Sequence, residues 1–147
     1  MTLRLVGGML LATIVSFAAP TASCAQIRSA LEIPEPLVSQ PGDAVRGRVI
    51  VLSRQSGLCI LCHSGPFREE RFQGNMAPDL GVSAQRLTAS QLRARIVDAS
   101  VFNPETIMPA YYRSSGLSRV APGYAGKTLL TGQEIEDVVA FLVSLKP

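Results

Sequence analysis

The chain has 147 residues with 14 Lys and Arg against 11 Asp and Glu, a length that suits one domain of ordinary size and excludes a multidomain enzyme. Its 47% hydrophobic share is inflated by one dense N-terminal run, so the rest reads as an average soluble chain. The single histidine, His63, excludes any site that needs two imidazoles, such as a multi-His zinc centre.

Residues 1–25 read as a secretory signal peptide. Arg4 supplies the positive start, Leu5 to Ala19 the apolar run, Pro20 the break, and Ser23-Cys24-Ala25 a small-residue cleavage site. The apolar run of 15 residues is shorter than the roughly 20 a membrane-crossing helix needs, so no span is expected once the signal is removed. Cys24 could instead be the lipidated first residue of a lipoprotein, but such signals carry a bulky Leu where this chain has Thr21. Losing Arg4 reduces the net charge from +3 to +2. With no basic cluster or interleaved aromatics, nothing suggests a nucleic-acid partner. Export also means an oxidising compartment, in which the two remaining thiols, Cys59 and Cys62, should be occupied.

Residues 26–42 carry Pro34, Pro36 and Pro41 and are expected to form an extended N-terminal arm ahead of a domain at 43–147. Val45, Val49 and Leu52 fall at i, i+4 and i+7, which predicts a first helix from Asp43 to Leu52 with those residues on one face. Ser56-Gly57 ends or interrupts it. From Gly65 to Ser83, three glycines and two prolines predict a loop with little regular structure. Thr88 and Gln91 form a capping box that opens a short helix from about Ala89 to Val97. A second loop follows, carrying Pro104, Pro109 and Pro122. Thr131 and Glu134 cap the last helix, whose Ile135, Val138, Val139 and Leu142 repeat at helical spacing to about Leu145. With no β-type alternation and no internal repeat, the expected class is all-α, short helices joined by long loops. Such helices bury too little surface to offset the entropy of ordering the chain. Something large and apolar is missing from the core.

Cys59-Ile60-Leu61-Cys62-His63 is C-x-x-C-H, the attachment signature of a c-type haem. Residues three apart on a helical turn share a face, so both thiols can add to neighbouring vinyl groups of one porphyrin. The next residue, His63, can then place its imidazole under the iron. The motif implies one covalently attached haem c per chain. Rival readings are weaker: a thioredoxin-type pair lacks its βαβ context, a structural zinc lacks a second ligand pair, and a disulfide leaves His63 unexplained. A sixth ligand would have to be Met76 or Met108, the two methionines left after signal removal. Pro109 biases Met108 towards an extended loop from which a side chain can project. Either methionine could equally be core filling, and reach along the chain does not separate them.

With C-x-x-C-H, an Ala-Pro-Asp-Leu loop, a Met-Pro loop and a capped last helix in that order, the mature chain resembles a class I cytochrome c. GLCILCH, LTASQLRARIVDASVFNPETIMPAYY, GLSRVAP and TGQEIEDVVAFLVSLK narrow the resemblance to the SoxX family, the small monohaem subunits of SoxXA in bacterial thiosulfate oxidation. The resemblance implies that Cys59 and Cys62 hold the haem, with His63 proximal and Met108 distal. It also implies that the Pro78 carbonyl orients the imidazole, that the first and last helices cross with Gly47 allowing close approach, and that Tyr111 and Tyr112 line the crevice. The implied function is that of a periplasmic electron-accepting subunit, partnered by a larger SoxA-like cytochrome. That complex would conjugate thiosulfate oxidatively to a cysteine of a carrier protein. A stand-alone electron-transfer cytochrome is the alternative. Once the haem is attached, no free thiol or imidazole remains on the mature chain, so a nucleophile or base must come from elsewhere.

Overall fold

The computed structural model describes residues 31–147, so the signal segment and Cys24 lie outside it. Among the described residues four α-helices carry the fold: α1 (Ala44–Leu52), α2 (Leu80–Arg86), α3 (Ala89–Val97) and α4 (Gly132–Ser144). Single 3₁₀ turns lie at Cys59–Leu61, Ala99–Val101 and Pro122–Tyr124. No strand forms among the described residues, and the single β-type contact is a parallel bridge between His63 and Ala77. The all-α expectation is met.

Helices α3 and α4 start where their capping boxes place them, with Thr88 and Thr131 accepting from the Gln91 and Glu134 N–H groups while the Gln and Glu side chains reach back. In α4 all four residues of the apolar repeat, Ile135, Val138, Val139 and Leu142, are buried. Two expectations need correction. Helix α1 begins as expected, Asp43 accepting from the Val45 and Arg46 N–H groups at 2.8 and 3.0 Å, but it turns the other way. Val45 and Val49 are 76% and 67% exposed, while Gly47 and Val51 are buried. The cause is the crossing with α4: a β-carbon at Gly47 would overlap the Asp137 carbonyl. Close approach selects the face with the smallest residue rather than the one with the valines. The second correction concerns 65–83, where α2 occupies the end of the stretch expected to be loop. Asp79 caps it by accepting from Val82 N–H at 3.1 Å.

Two adjacent, almost fully buried acids on α4 hold the layers together. Asp137 accepts from Arg46 Nε and Nη2 of α1 at 2.7 and 2.8 Å and from Asp43 N–H at 2.8 Å. Glu136 takes a two-pronged pairing from Arg93 of α3 at 2.7 and 2.9 Å and accepts from Leu37 N–H at 2.9 Å. Arg93 also donates to the Ile33 carbonyl at 2.7 Å. The irregular segment from 31 to 42, bent at 35 and at 37–40, is thereby laid on the chain's own α3 and α4. The apolar core, including Val51, Leu80, Leu92, Ile96, Tyr111, Leu130, Val138 and Leu142, does not close on itself. All eight of these residues face a common cavity.

Candidate functional site

The cavity measures about 800 Å³ and its walls are mainly apolar, within the roughly 300–1,000 Å³ range of cofactor sites. Cys59, Cys62, His63 and Met108, separated by up to 49 positions in sequence, all line it. A core of this size left open is what the sequence implied when its short helices failed to account for a packed interior.

The attachment turn is built locally. Helix α1 stops at Ser53, and Leu58 adopts φ 60°, the left-handed region that side chains disfavour. This swings the chain into the 3₁₀ turn, where Cys62 N–H and His63 N–H both donate to the Cys59 carbonyl, at 3.1 and 2.9 Å. Both cysteines are free thiols. Burial pushes the Cys59 thiol up to about 11, partly offset by the Tyr111 hydroxyl. A thiol held protonated in this way is opposite in character to the low-pKa thiolate of a redox C-x-x-C pair. Among the described residues no three His, Cys, Asp or Glu side chains converge as metal ligands.

His63 is oriented through its far nitrogen. Nδ1 lies 2.7 Å from the Pro78 carbonyl oxygen. A carbonyl can only accept, so the proton sits on Nδ1 and the Nε2 lone pair is free to ligate a metal. Pro78 is held by the backbone on either side, Ala77 N–H donating to the Cys62 carbonyl at 3.0 Å and Leu80 N–H to the Ser64 carbonyl at 2.8 Å. The two methionines now separate. Met76, next to the Ala77 that pairs with His63, lies on the His63 side of the cavity and is 68% exposed. Met108 is half-buried against the core on the loop after α3.

Several site features had no readable signal in the sequence. Among the described residues, Arg86 and Arg95 are the charged side chains lining the cavity. They come from the last turns of α2 and α3. Neither pairs with a carboxylate among the described residues. Arg95 lies 4.4 Å over the Phe102 ring, a cation–π contact at the cavity edge. A tetrapyrrole with two acid side chains suits such a lining, an apolar slot with two unpaired cations and an imidazole–thiol turn on one wall. Tyr111 is buried, as the expectation that it lines the crevice requires, and its hydroxyl donates to the Gly57 carbonyl at 2.5 Å. Tyr112 is not among the lining residues and is more exposed.

No protein-family model and no curated protein sequence matches the chain. A chain in the crystal structure of SoxXA from P. pantotrophus is similar to it, at 34% identity and a TM-score of 0.73, covering 80% of this chain and 92% of that one. Similarity at this level over nearly the whole of the neighbour extends beyond the C-x-x-C-H turn. The chain belongs to the SoxX family of cytochromes and has the class I cytochrome c-like fold.

Proposed function

We propose that this chain is the electron-accepting haem subunit of a SoxXA-like complex that joins thiosulfate to a cysteine of a carrier protein. The observation that carries the reading is the gathering of Cys59, Cys62, His63 and Met108 on one apolar cavity in a chain 34% identical to part of SoxXA. Cys59 and Cys62 would hold one haem c through thioether links, His63 Nε2 would be the proximal ligand, and Met108 the distal one. The half-burial of Met108, against the exposure of Met76, supports that choice. Arg86 and Arg95 would face the two propionates. Residues 1–25 would direct the chain to the periplasm and be removed.

A c-type haem held there would supply one-electron chemistry, at a potential raised by His/Met ligation. The chain's own residues hold the His63 ring through the Pro78 carbonyl, and the walls formed by Val51, Leu92, Ile96 and Val138 would shield the haem from water. Joining thiosulfate to a thiol forms a sulfur–sulfur bond, releases the thiol proton and yields two electrons. A single haem needs two turnovers, or a second acceptor in the complex. With the only histidine and both mature-chain cysteines occupied by the haem, this chain has no thiol nucleophile and no imidazole base to offer. The bond-making step therefore falls to the partner, a larger SoxA-like cytochrome.

Purification from the native periplasm tests the reading. The expected result is a red heterodimer in which this chain, cleaved after Ala25, carries one haem and thiosulfate conjugation needs both subunits. Elution as a lone cytochrome that exchanges electrons but never pairs would replace it with the stand-alone carrier.

A further inference from the structure

We propose that Tyr111 is a positioning residue, a latch tying the loop that carries Met108 to the turn that carries Cys59, so that Met108 stays over the cavity. The inference rests on Met108 being the distal ligand. From 104 to 110 every hydrogen bond stays inside the loop: Glu105 N–H to Asn103 Oδ1, Thr106 N–H to the Asn103 carbonyl and Met108 N–H to Thr106 Oγ1, at 3.1, 3.0 and 3.2 Å. Tyr111 is the first residue after Met108 to be joined to the rest of the molecule, and it is joined three ways. Its N–H donates to the Ile96 carbonyl of α3 at 3.2 Å. Its carbonyl accepts from Leu129 and Leu130 N–H at 2.9 and 3.1 Å. Its hydroxyl, on a residue 3% exposed, crosses the core to the Gly57 carbonyl at 2.5 Å.

The far end of that last bond is rigid. A β-carbon at Gly57 would overlap the Ile50 carbonyl, so the segment lies directly on α1. Leu58 N–H then donates to the Ser53 carbonyl at 2.9 Å, setting the left-handed residue before Cys59. The Gly57 carbonyl also accepts from Cys59 Sγ at 3.3 Å while that sulfur is a thiol. A thioether has no proton to give. Once Cys59 is alkylated, the Tyr111 hydroxyl is the side-chain donor left on Gly57, and the bond between the distal loop and the attachment turn depends on it. Its removal leaves a buried carbonyl without that partner, a loss that on average shifts an equilibrium about tenfold. That shift should appear in the opening of the Met108 loop.

The test uses the full-length ferric holoprotein and imidazole, which competes with the methionine for iron, followed by loss of the far-red sulfur-to-iron charge-transfer band. Tyr111→Phe keeps the ring packing and should retain both thioether links and the band, yet bind imidazole about tenfold more tightly than wild type. Asp43→Ala removes the α1 cap, a comparable stability loss at a side chain bonded only to Val45 and Arg46, and should leave imidazole affinity unchanged. Affinity within twofold of wild type in Tyr111→Phe, or an equal rise in both variants, overturns the latch. A wild-type protein with attached haem but no far-red band overturns the Met108 reading and the latch together, whereas the other failures remove the latch alone. Should Tyr111→Phe not accumulate, hydrogen exchange on the wild type decides. Faster exchange at the Leu58 and Cys59 amides on adding imidazole supports the coupling, and unchanged exchange overturns it.

Discussion

The two walls of the cavity are built on opposite plans. The His63 wall is a short, self-bonded stretch: Gly74 N–H donates to the Ile60 carbonyl at 2.8 Å, Ala77 N–H to the Cys62 carbonyl at 3.0 Å, Gly65 N–H to Gln73 Oε1 at 2.7 Å, and Ser64 Oγ to Asp79 at 2.9 Å. The Met108 wall is a loop bonded to itself and anchored just beyond, at Tyr111. A ligand held by local bonds is positioned when its segment folds. One whose loop hydrogen-bonds to the rest of the molecule only at an anchor beyond it can leave without unfolding anything else. The His63 side should therefore persist through perturbations that release Met108.

The largest effect separates the walls outright. Met108→Ala should abolish the far-red sulfur-to-iron band while both thioether links remain by mass spectrometry. Met76→Ala, on the exposed rim of the His63 wall, should leave band and links intact. The reverse outcome would exchange the two methionines and make the distal loop a lid without a ligand.

Next in size is a change to the platform both walls share. Gly47→Ala drives a methyl into the Asp137 carbonyl with the Phe141 β-carbon beside it. Because the contact is backbone, no side chain can swing aside, and a loss of about 3 kcal/mol is expected in denaturant unfolding. If the crossing is as close as described, the far-red band should be lost early in that unfolding, since the distal loop is the less anchored wall. A variant as stable as wild type would mean that α1 and α4 can part at little cost.

How much was legible follows the same division. The helices α3 and α4 were readable because capping boxes and a 3.6-residue repeat are local codes, and so was the C-x-x-C-H turn, whose spacing is itself the chemistry. Helix α2 was obscured by the glycines and prolines around it, although Asp79 after Pro78 is an N-cap that could have been noticed. The facing of α1 was read wrongly because a periodicity count ranks valine above glycine, whereas a close helix crossing ranks them the other way. Arg86, Arg95 and the Tyr111–Gly57 bond were invisible for a plainer reason. Each depends on residues brought together by the tertiary fold, and no short-range pattern records that.

A smaller effect, with its own pH window, lies behind the platform. The Arg46 guanidinium, beside Asp137, holds the carboxyl down at about 2 from an ordinary 3.8, assisted by Asp43 N–H and Gln133 against the opposing effect of burial. A folded value below the unfolded one means stability that is full above about pH 4 and is lost as pH falls through about 2. Asp137→Asn should lower stability by about 1 kcal/mol at neutral pH. The gap from wild type should close between pH 4 and 2 in melting curves. A gap that stays constant across that range would place the effect in packing rather than charge.

The smallest effect bears on the charged end of the cavity. A guanidinium facing a propionate neutralises a negative charge that would otherwise favour the ferric iron, so losing it should lower the reduction potential. Arg86 is exposed and well screened, whereas Arg95 is half-buried and held over Phe102. Arg95→Gln should therefore lower the potential by on the order of 30 mV and Arg86→Gln by on the order of 10 mV. The far-red band should be unchanged in both, because neither side chain hydrogen-bonds to the Met108 loop or to Tyr111. Redox titration at two salt concentrations checks the origin of the shift. A Coulomb effect at the exposed residue shrinks as ionic strength rises, while a shift that ignores salt and weakens the band would mean that these arginines brace the distal loop rather than balance the propionates.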